Sequence, residues 1–218
     1  MPFAVAVLES TAPNFPPALR VSDKAALFPR VWAIGNMAIL EKQLLGFFCS
    51  IKCPGEIILQ TYDLARALRD ANVSIISGFH SPMEKECLTF LLRGSQPIVV
   101  CPARSLERMR VPSEWRAPLA EGRLLILSPF TEKTRRATTG LAQKRNEFVA
   151  ALAEKVFVAH AAPESKTEQF CCELLRQGKP LLTLENDQNA NLLTLGARPV
   201  RLENVSEQWA VNSSASIC

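Results

Sequence analysis

The chain has 218 residues, 48% of them hydrophobic and 21% charged, and its formal net charge at pH 7 is +4. This length and apolar content predict one good hydrophobic core with at most a small appendage. No apolar run is long enough to cross a membrane, and the first residues lack the basic start of a signal peptide. We therefore expect a cytoplasmic protein without a membrane segment.

The cysteines, of which there are seven, lie mostly inside apolar runs, as Cys101 does. They are therefore predicted to be small buried hydrophobic side chains in a reducing compartment. The chain has no C-x-x-C pair and only two histidines, so neither a metal site nor a cofactor is predicted.

Basic residues are concentrated in one segment. Residues 104–146 contain ten Lys and Arg residues and four Glu residues, a balance of +6, whereas the rest of the chain has a balance of −2. A basic segment on a nearly neutral body favours an anionic partner. The alternative is an arginine-rich solvated surface, and the sequence leaves both interpretations open.

The predicted elements alternate between strands and helices. Residues 1–25 carry several prolines and are predicted to be an N-terminal extension, and residues 204–218 a C-terminal tail. Strands are predicted at residues 31–34, 45–49, 73–77, 97–101, 124–127, 156–159, 180–184 and 198–202, and helices at residues 57–71, 82–92, 138–153 and 167–177. Because the strands are apolar throughout and helices join them, we predict one α/β domain over residues 26–203. It is a Rossmann-like, doubly wound, mostly parallel sheet with helices on both faces.

The turns after the strands are the candidate binding sites, because ligands of open α/β sheets collect at the carboxyl ends of the strands. The turn after residues 73–77 is the most informative. Gly78 there permits close approach of a ligand, and Ser81 can cap the helix that begins with Pro82. A capping box between Ser81 and Glu84 explains both residues structurally, and a single histidine such as His80 more often makes a local hydrogen bond than acts in catalysis.

Two further turns and one helix complete the predicted site. Residues 50–52 and residues 165–167 place hydroxyl groups and a lysine just before a helix, which suits a phosphate, although ordinary turns and helix caps explain them too. Arg145 lies three residues before Phe148 and is drawn toward the buried side of its helix, where it needs an anion or a hydrogen-bond network. No catalytic residue is predicted. The candidate phosphate-binding residues are Ser50, Lys52, Ser77, Gly78, His80, Ser81, Arg135, Arg136, Lys144, Arg145, Asn146, Ser165, Lys166 and Thr167.

These segments, taken in order, resemble the DNA-processing protein A (DprA/Smf) family over about residues 27–200. Ser77-Gly78 with Glu84 is similar to the family's SGxxxGxD segment, and Arg145-Asn146 to its RRNR segment. Weaker matches lie at residues 32–36, 48–52, 156–167, 178–180 and 192–197. The chain departs from the family's Gly, Arg, Gly, Asp and Glu at Cys49, Ile51, Pro82, Glu84 and His160, respectively.

The resemblance implies a Rossmann-like protein that binds single-stranded DNA, forms a homodimer and loads a recombinase. Two other functions stay open. The turns suit a small nucleotide as well as a DNA backbone, which would make the chain a nucleotide binder or sensor. A phosphoribohydrolase-type enzyme is the least favoured, because residues 163–168 lack the glycines of that group's PGGxGTxxE turn.

Overall fold

The computed structural model describes residues 3–20, 24–131, 134, 137–205 and 209. Within these residues the strands are β1 (Ala6–Glu9), β2 (Arg30–Gly35), β3 (Leu45–Phe48), β4 (Ile75–Ser77), β5 (Ile98–Val100), β6 (Leu124–Ser128), β7 (Lys155–Val158), β8 (Leu181–Leu184) and β9 (Arg198–Val200). The α-helices are α1 (Pro17–Arg20), α2 (Lys24–Leu27), α3 (Gly55–Asp70), α4 (Pro82–Leu91), α5 (Ser113–Ala120), α6 (Thr139–Leu152), α7 (Lys166–Arg176) and α8 (Ala190–Leu195).

The strands form a single mixed sheet in the order β1-β2-β6-β5-β4-β3-β7-β8-β9. All neighbours from β6 to β9 are parallel, whereas β2 is antiparallel to both β1 and β6. The strand order reverses direction between β3 and β7, so the helices that follow β3 and β7 leave on opposite faces. The predicted α/β fold with a mostly parallel, doubly wound sheet is confirmed.

Two hydrophobic clusters cover the two faces of the sheet. On one face α6 and α7 pack Phe148 and Phe170 against alternate strand residues. On the other face α3 and α4 pack Leu64 and Cys87 against the remaining strand residues. Burial on both faces explains why β6 is apolar until its last residue, and all five of its residues are buried.

The N-terminal segment is part of the sheet. Residues 6–9, which the sequence assigns to an extension, form the edge strand β1, and Leu8 lies opposite Val31 of β2. Leu8 and Phe15 are each only 1% exposed, and Leu19 of α1 is fully buried. The prolines of this segment therefore mark turns between short elements and not the absence of structure.

Five of the described strands and α-helices were not predicted: β1, α1, α2, α5 and α8. Helix α5 carries Pro118 in its interior and has only two buried residues, so its apolar period is weak. Helix α8 has six residues and is followed by the C-cap Gly196, whose φ of 109° is in the left-handed region. Of the predicted tail, the structure describes residues 204, 205 and 209, and the rest lies outside the described residues.

Candidate functional site

A cavity of about 270 Å³ lies at the carboxyl end of the parallel sheet, between the turns after β3 and β4 and the helices α6 and α7. Its apolar side is formed by Phe48 and Phe170, whose rings meet edge to face with centroids 5.2 Å apart. Lys166, Thr167 and Arg145 supply polar atoms on the remaining walls. The cavity therefore lies where an open α/β sheet is expected to bind a ligand.

The predicted site residues divide into three groups. The cavity is lined by His80, Ser81, Arg145, Asn146, Lys166 and Thr167. Those that lie in the same turns and helices without lining it are Ser50, Lys52, Ser77, Gly78, Lys144 and Ser165. Arg135 and Arg136 lie outside the described residues.

The sequence missed most of the helix faces that line the cavity. On α6 the cavity is lined by Thr139, Ala142, Gln143 and Asn146, and on α7 by Lys166, Gln169, Phe170 and Glu173. Each set has the spacing i, i+3, i+4, i+7, which places its members on one face of a helix. This shared spacing is the signal that could have found them, although a mixed polar and apolar face does not stand out in a hydrophobic pattern.

Glu84 ties together the two turns that border the cavity. Its buried carboxylate accepts hydrogen bonds from the backbone N–H groups of Cys49 at 2.9 Å, His80 at 2.7 Å and Ser81 at 3.1 Å. The Ser81 hydroxyl in turn accepts the N–H of Glu84, which completes the capping box. The backbone donors that would have suited a phosphate at this turn are therefore occupied, and the turn offers a ligand the side chains of His80 and Ser81.

Gly78 makes room for Arg145. A β-carbon added to Gly78 would lie 1.3 Å from Nη1 of Arg145, so no other residue fits with the arginine in place. Arg145 is 5% exposed, and it donates from Nη1 to the Cys101 carbonyl at 3.2 Å and from Nε to Oδ1 of Asn146 at 2.8 Å. The close approach expected at Gly78 is thus made by a side chain of the protein itself.

Arg145 contributes positive charge from beneath the cavity. Burial lowers the pKa of its guanidinium, and the nearby Glu84 carboxylate opposes this effect. An arginine nevertheless remains protonated in proteins. Arg145 makes no ion pair with a carboxylate among the described residues, although the Glu84 carboxylate, which lines the same cavity, offsets part of its charge.

The start of α7 is the second source of positive potential. Ser165 caps this helix, because its hydroxyl accepts the N–H of Glu168 at 3.2 Å. From the sequence, such a helix cap is the alternative to phosphate binding by Ser165. Lys166 is exposed and Thr167 is half-buried, and both side chains line the cavity. An eleven-residue helix that begins here directs its dipole and its first N–H groups toward the same region.

The turn between β3 and α3 borders the cavity on its third side. Ser50 is 8% exposed, its N–H donates to the His160 carbonyl at 3.0 Å, and its buried Oγ has no hydrogen-bond partner among the described residues. Ile51 is 76% exposed at the mouth of the cavity, and the neighbouring Lys52 is also exposed. Helix α3 has Pro54 at its N-cap and no side-chain cap, so its first N–H groups stay available to a ligand.

Within the described residues, no group of three His, Cys, Asp or Glu side chains could hold a metal ion. None of the described helices is long and apolar enough to cross a membrane. The lining of the cavity offers cations and a helix start to an anion, and aromatic rings to a planar group.

Comparisons with known proteins agree with this fold. The sequence profile of the family described as DNA recombination-mediator protein A matches residues 6–201. One similar solved structure is that of DNA processing protein A from Helicobacter pylori, which was described for its single-stranded DNA binding mode. It superimposes on this chain with a TM-score of 0.75 at 20% identity, and the match covers 94% of this chain and 95% of that chain. The same protein from Streptococcus pneumoniae gives a TM-score of 0.73 at 16% identity, covering 89% and 70% of the two chains.

The fold is also shared more distantly with the molybdenum cofactor carrier protein of Chlamydomonas reinhardtii. That comparison has a TM-score of 0.52 and 10% identity and covers 77% of this chain and 96% of that chain. At such identities the structural likeness shows the fold alone. No curated protein sequence matches the chain.

Proposed function

This chain belongs to the DNA recombination-mediator protein A family, a family of DNA-processing proteins, and from this premise we propose that it binds single-stranded DNA. The binding site is the cavity between the β3 turn, α6 and α7. The observation that carries the proposal is that one cavity at the strand ends combines aromatic rings with Lys166 and Arg145. A nucleotide unit of single-stranded DNA needs both features, since its base is planar and its phosphate is anionic.

A base would contact the apolar side and a phosphate the cationic side. Phe48 and Phe170 form the apolar side, and the exposed Ile51 extends it at the mouth of the cavity. Lys166 and the first N–H groups of α7 suit a phosphate. Contacts of this kind read shape and charge and not base identity, so we propose binding without strong sequence preference.

Neighbouring phosphates of the same strand would be bound outside the cavity. Lys52 on the β3 turn and Lys144 on α6 are both exposed, and each is adjacent in sequence to a residue that lines the cavity. Ser50 and the uncapped start of α3 offer a further set of donors beside Lys52. Arg135 and Arg136 precede α6 in sequence and are part of the proposal, although they lie outside the described residues.

We extend the proposal to the other properties implied by the family. These are a homodimer, a recombinase as protein partner and action in the cytoplasm. Family membership is the only support for these three properties, because the features of the described residues given above concern the DNA site.

The proposal is tested by replacing one cation inside the cavity and one outside it. Lys166→Ala removes the cation at the start of α7, and Arg176→Ala removes an exposed cation in the last turn of the same helix. In fluorescence anisotropy with a labelled single-stranded oligonucleotide, we expect Lys166→Ala to weaken binding about tenfold, the loss of one charge-assisted hydrogen bond. Arg176→Ala should change affinity by about twofold or less, since only long-range charge is lost.

Equal effects of the two substitutions would contradict the site, because they would show that binding depends on total charge alone. Circular dichroism of both variants verifies that they are folded.

A free nucleotide is the second candidate ligand. The observation that favours it is the size of the cavity, since about 270 Å³ lies just below the range of small-molecule sites and suits one small ligand better than a long strand. Competition distinguishes the two ligands. If a mononucleotide displaces the oligonucleotide at concentrations near those of the oligonucleotide itself, the cavity selects the nucleotide, whereas DNA binding through several phosphates resists such displacement.

A further inference from the structure

The loop between β5 and α5 (residues 101–112) carries arginines that the proposed site does not use. Arg104, Arg108 and Arg110 are all exposed, and Glu107 is the single carboxylate of this loop. Three arginines and one glutamate give the β5–α5 loop a formal charge balance of +2. None of the three arginines forms an ion pair with a carboxylate among the described residues. The loop is therefore a positively charged surface, and it contains the first part of the basic segment found in the sequence.

The β5–α5 loop is held firmly against the rest of the domain. The Ser128 hydroxyl at the end of β6 donates to the Arg104 carbonyl at 2.7 Å, and the Ser105 N–H donates to the Thr134 carbonyl at 2.9 Å. Leu106 is 1% exposed and packs in the core. Because the backbone is fixed in this way, the loop loses little conformational entropy when its arginines bind a ligand.

The backbone at Arg108 has an unusual conformation. Its φ is 54°, in the left-handed region that residues other than glycine, asparagine and aspartate seldom adopt. The Met109 N–H donates to the Leu106 carbonyl at 3.0 Å and closes the turn around Arg108. Residues held in such conformations are concentrated at binding and catalytic sites. Since Arg108 is exposed, packing of its side chain in the core does not explain the conformation, and a binding role does.

The β5–α5 loop begins beside the cavity. The N–H of Cys101, its first residue, donates to the Ser77 carbonyl at 2.8 Å, and the Cys101 carbonyl accepts from Nη1 of Arg145 at 3.2 Å. Arg145 lines the cavity. The chain from Cys101 to Arg104 spans about 11 Å at most. In the sheet, β4 lies between β3 and β5, so the loop and the Lys52 turn are on opposite sides of the β4 turn.

We propose that the single strand of DNA continues from the cavity across the β4 turn onto the β5–α5 loop, where Arg104, Arg108 and Arg110 bind its phosphates. This inference rests on the proposed function. Charge favours DNA as the occupant, because a single strand carries one phosphate per nucleotide and the loop offers several cations in succession. Guanidinium groups also match the geometry of phosphate oxygens. The strand bound in the cavity thus has a longer footprint, and affinity depends on its length.

Oligonucleotide length tests the longer footprint. Labelled single-stranded oligonucleotides of about four and about twelve nucleotides are titrated with the full chain in fluorescence anisotropy. The double variant Arg108→Asn/Arg110→Gln removes two positive charges, and asparagine tolerates the left-handed conformation at position 108. We expect this variant to bind the longer oligonucleotide about tenfold or more weakly than the wild type. The shorter oligonucleotide is held by the cavity alone, so its affinity should change by about twofold or less.

A matched variant removes the same charge at the other end of the sheet. Arg93 and Arg176 are exposed and lie at the C-terminal ends of α4 and α7, which are directed away from the carboxyl edge of the strands. Arg93→Gln/Arg176→Gln should change the affinity for either oligonucleotide by about twofold or less. Equal losses in the two double variants would overturn the inference, because binding would then follow total charge.

A third variant should strengthen binding. Glu107→Gln removes the single carboxylate of the β5–α5 loop, and we expect about twofold tighter binding of the longer oligonucleotide without a change for the shorter one. Damage to the fold cannot produce such a gain. Unchanged or weaker binding of the longer oligonucleotide by this variant would contradict contact between the loop and DNA.

The inference and the proposed function fail in different ways. If the wild type binds both oligonucleotides and Arg108→Asn/Arg110→Gln binds the longer one equally well, the DNA does not reach the loop, and the proposed function stands. The arginines would then suit an acidic protein surface. If the wild type binds neither oligonucleotide, the proposed function is wrong and the inference falls with it. Circular dichroism verifies that all variants are folded.

Discussion

The requirement for glycine at position 78 comes from a neighbouring side chain and not from the backbone conformation of Gly78. Its added β-carbon would overlap the Arg145 guanidinium at 1.3 Å, and Arg145 in turn bridges to the Cys101 carbonyl. From the sequence, the helical pattern correctly predicts that Arg145 turns toward the buried side. The contact with Gly78 joins residues far apart in the chain, so spacing alone offers no sign of it.

This contact predicts strong coupling between the two positions. Gly78→Ala should lower the free energy of unfolding by about 1–3 kcal/mol, because the new methyl group overlaps a packed side chain. In a chain that already carries Arg145→Ala, the same substitution should cost about 0.5 kcal/mol or less, since the overlap is gone. Urea denaturation of the wild type, both single variants and the double variant measures the coupling.

An equal cost of Gly78→Ala in both backgrounds would mean that Arg145 does not occupy the space beside Gly78.

Backbone conformation at the same turn was beyond the reach of the sequence. Phe79 has a φ of 44°, a left-handed conformation that bulky residues seldom adopt. Hydrogen bonds hold it there, from the Phe79 N–H to the Ser77 hydroxyl and from the His80 N–H to Glu84. Phenylalanine disfavours this conformation, so the sequence gives no sign of it at position 79. The capping box of Ser81 and Glu84, in contrast, was correctly identified from local spacing.

At the scale of elements, buried strands and long helices were predictable, whereas the edge strand β1 and the short helices were not. Strands β3 to β8 have apolar runs that indicate burial on both faces of the sheet. The bounds of α4 and α7 lie within one residue of their predicted positions. Strand β1 is different, because an edge strand needs only one buried side chain, here Leu8, and prolines follow it. Its structure depends on pairing with β2, which no local pattern reports.

The assignment of β1 to the domain has a direct test. Leu8→Ala should lower the free energy of unfolding by about 2–4 kcal/mol, because a fully buried leucine leaves a cavity. Val7→Ala, at a neighbouring residue of the same strand that is 52% exposed, should change it by about 0.5 kcal/mol or less. Urea denaturation of the two variants makes the comparison. A Leu8→Ala protein as stable as the wild type would show that the N-terminal segment is an appendage.

At the scale of the whole molecule, the order of the strands in the sheet decides which residues meet at the cavity. Segments distant in the chain, the turns after β3 and β4 and the starts of α6 and α7, meet at one end of the sheet because parallel strands share their carboxyl edge. That rule predicted the general location from sequence and brought together His80, Ser81, Arg145, Asn146, Lys166 and Thr167. The aromatic side of the cavity was not predicted, since Phe48 and Phe170 lie in apolar runs that resemble ordinary core.

The measurement that tests the central claim most directly is the affinity of the wild-type protein for a labelled single-stranded oligonucleotide across a range of salt concentrations. If phosphates are bound by Lys166 and the cations around the cavity, affinity should fall about tenfold or more between about 50 mM and about 200 mM salt, through release of the counterions of several phosphates. Absence of binding at the lowest salt concentration, or an affinity that does not depend on salt, would contradict the assignment of single-stranded DNA as the ligand.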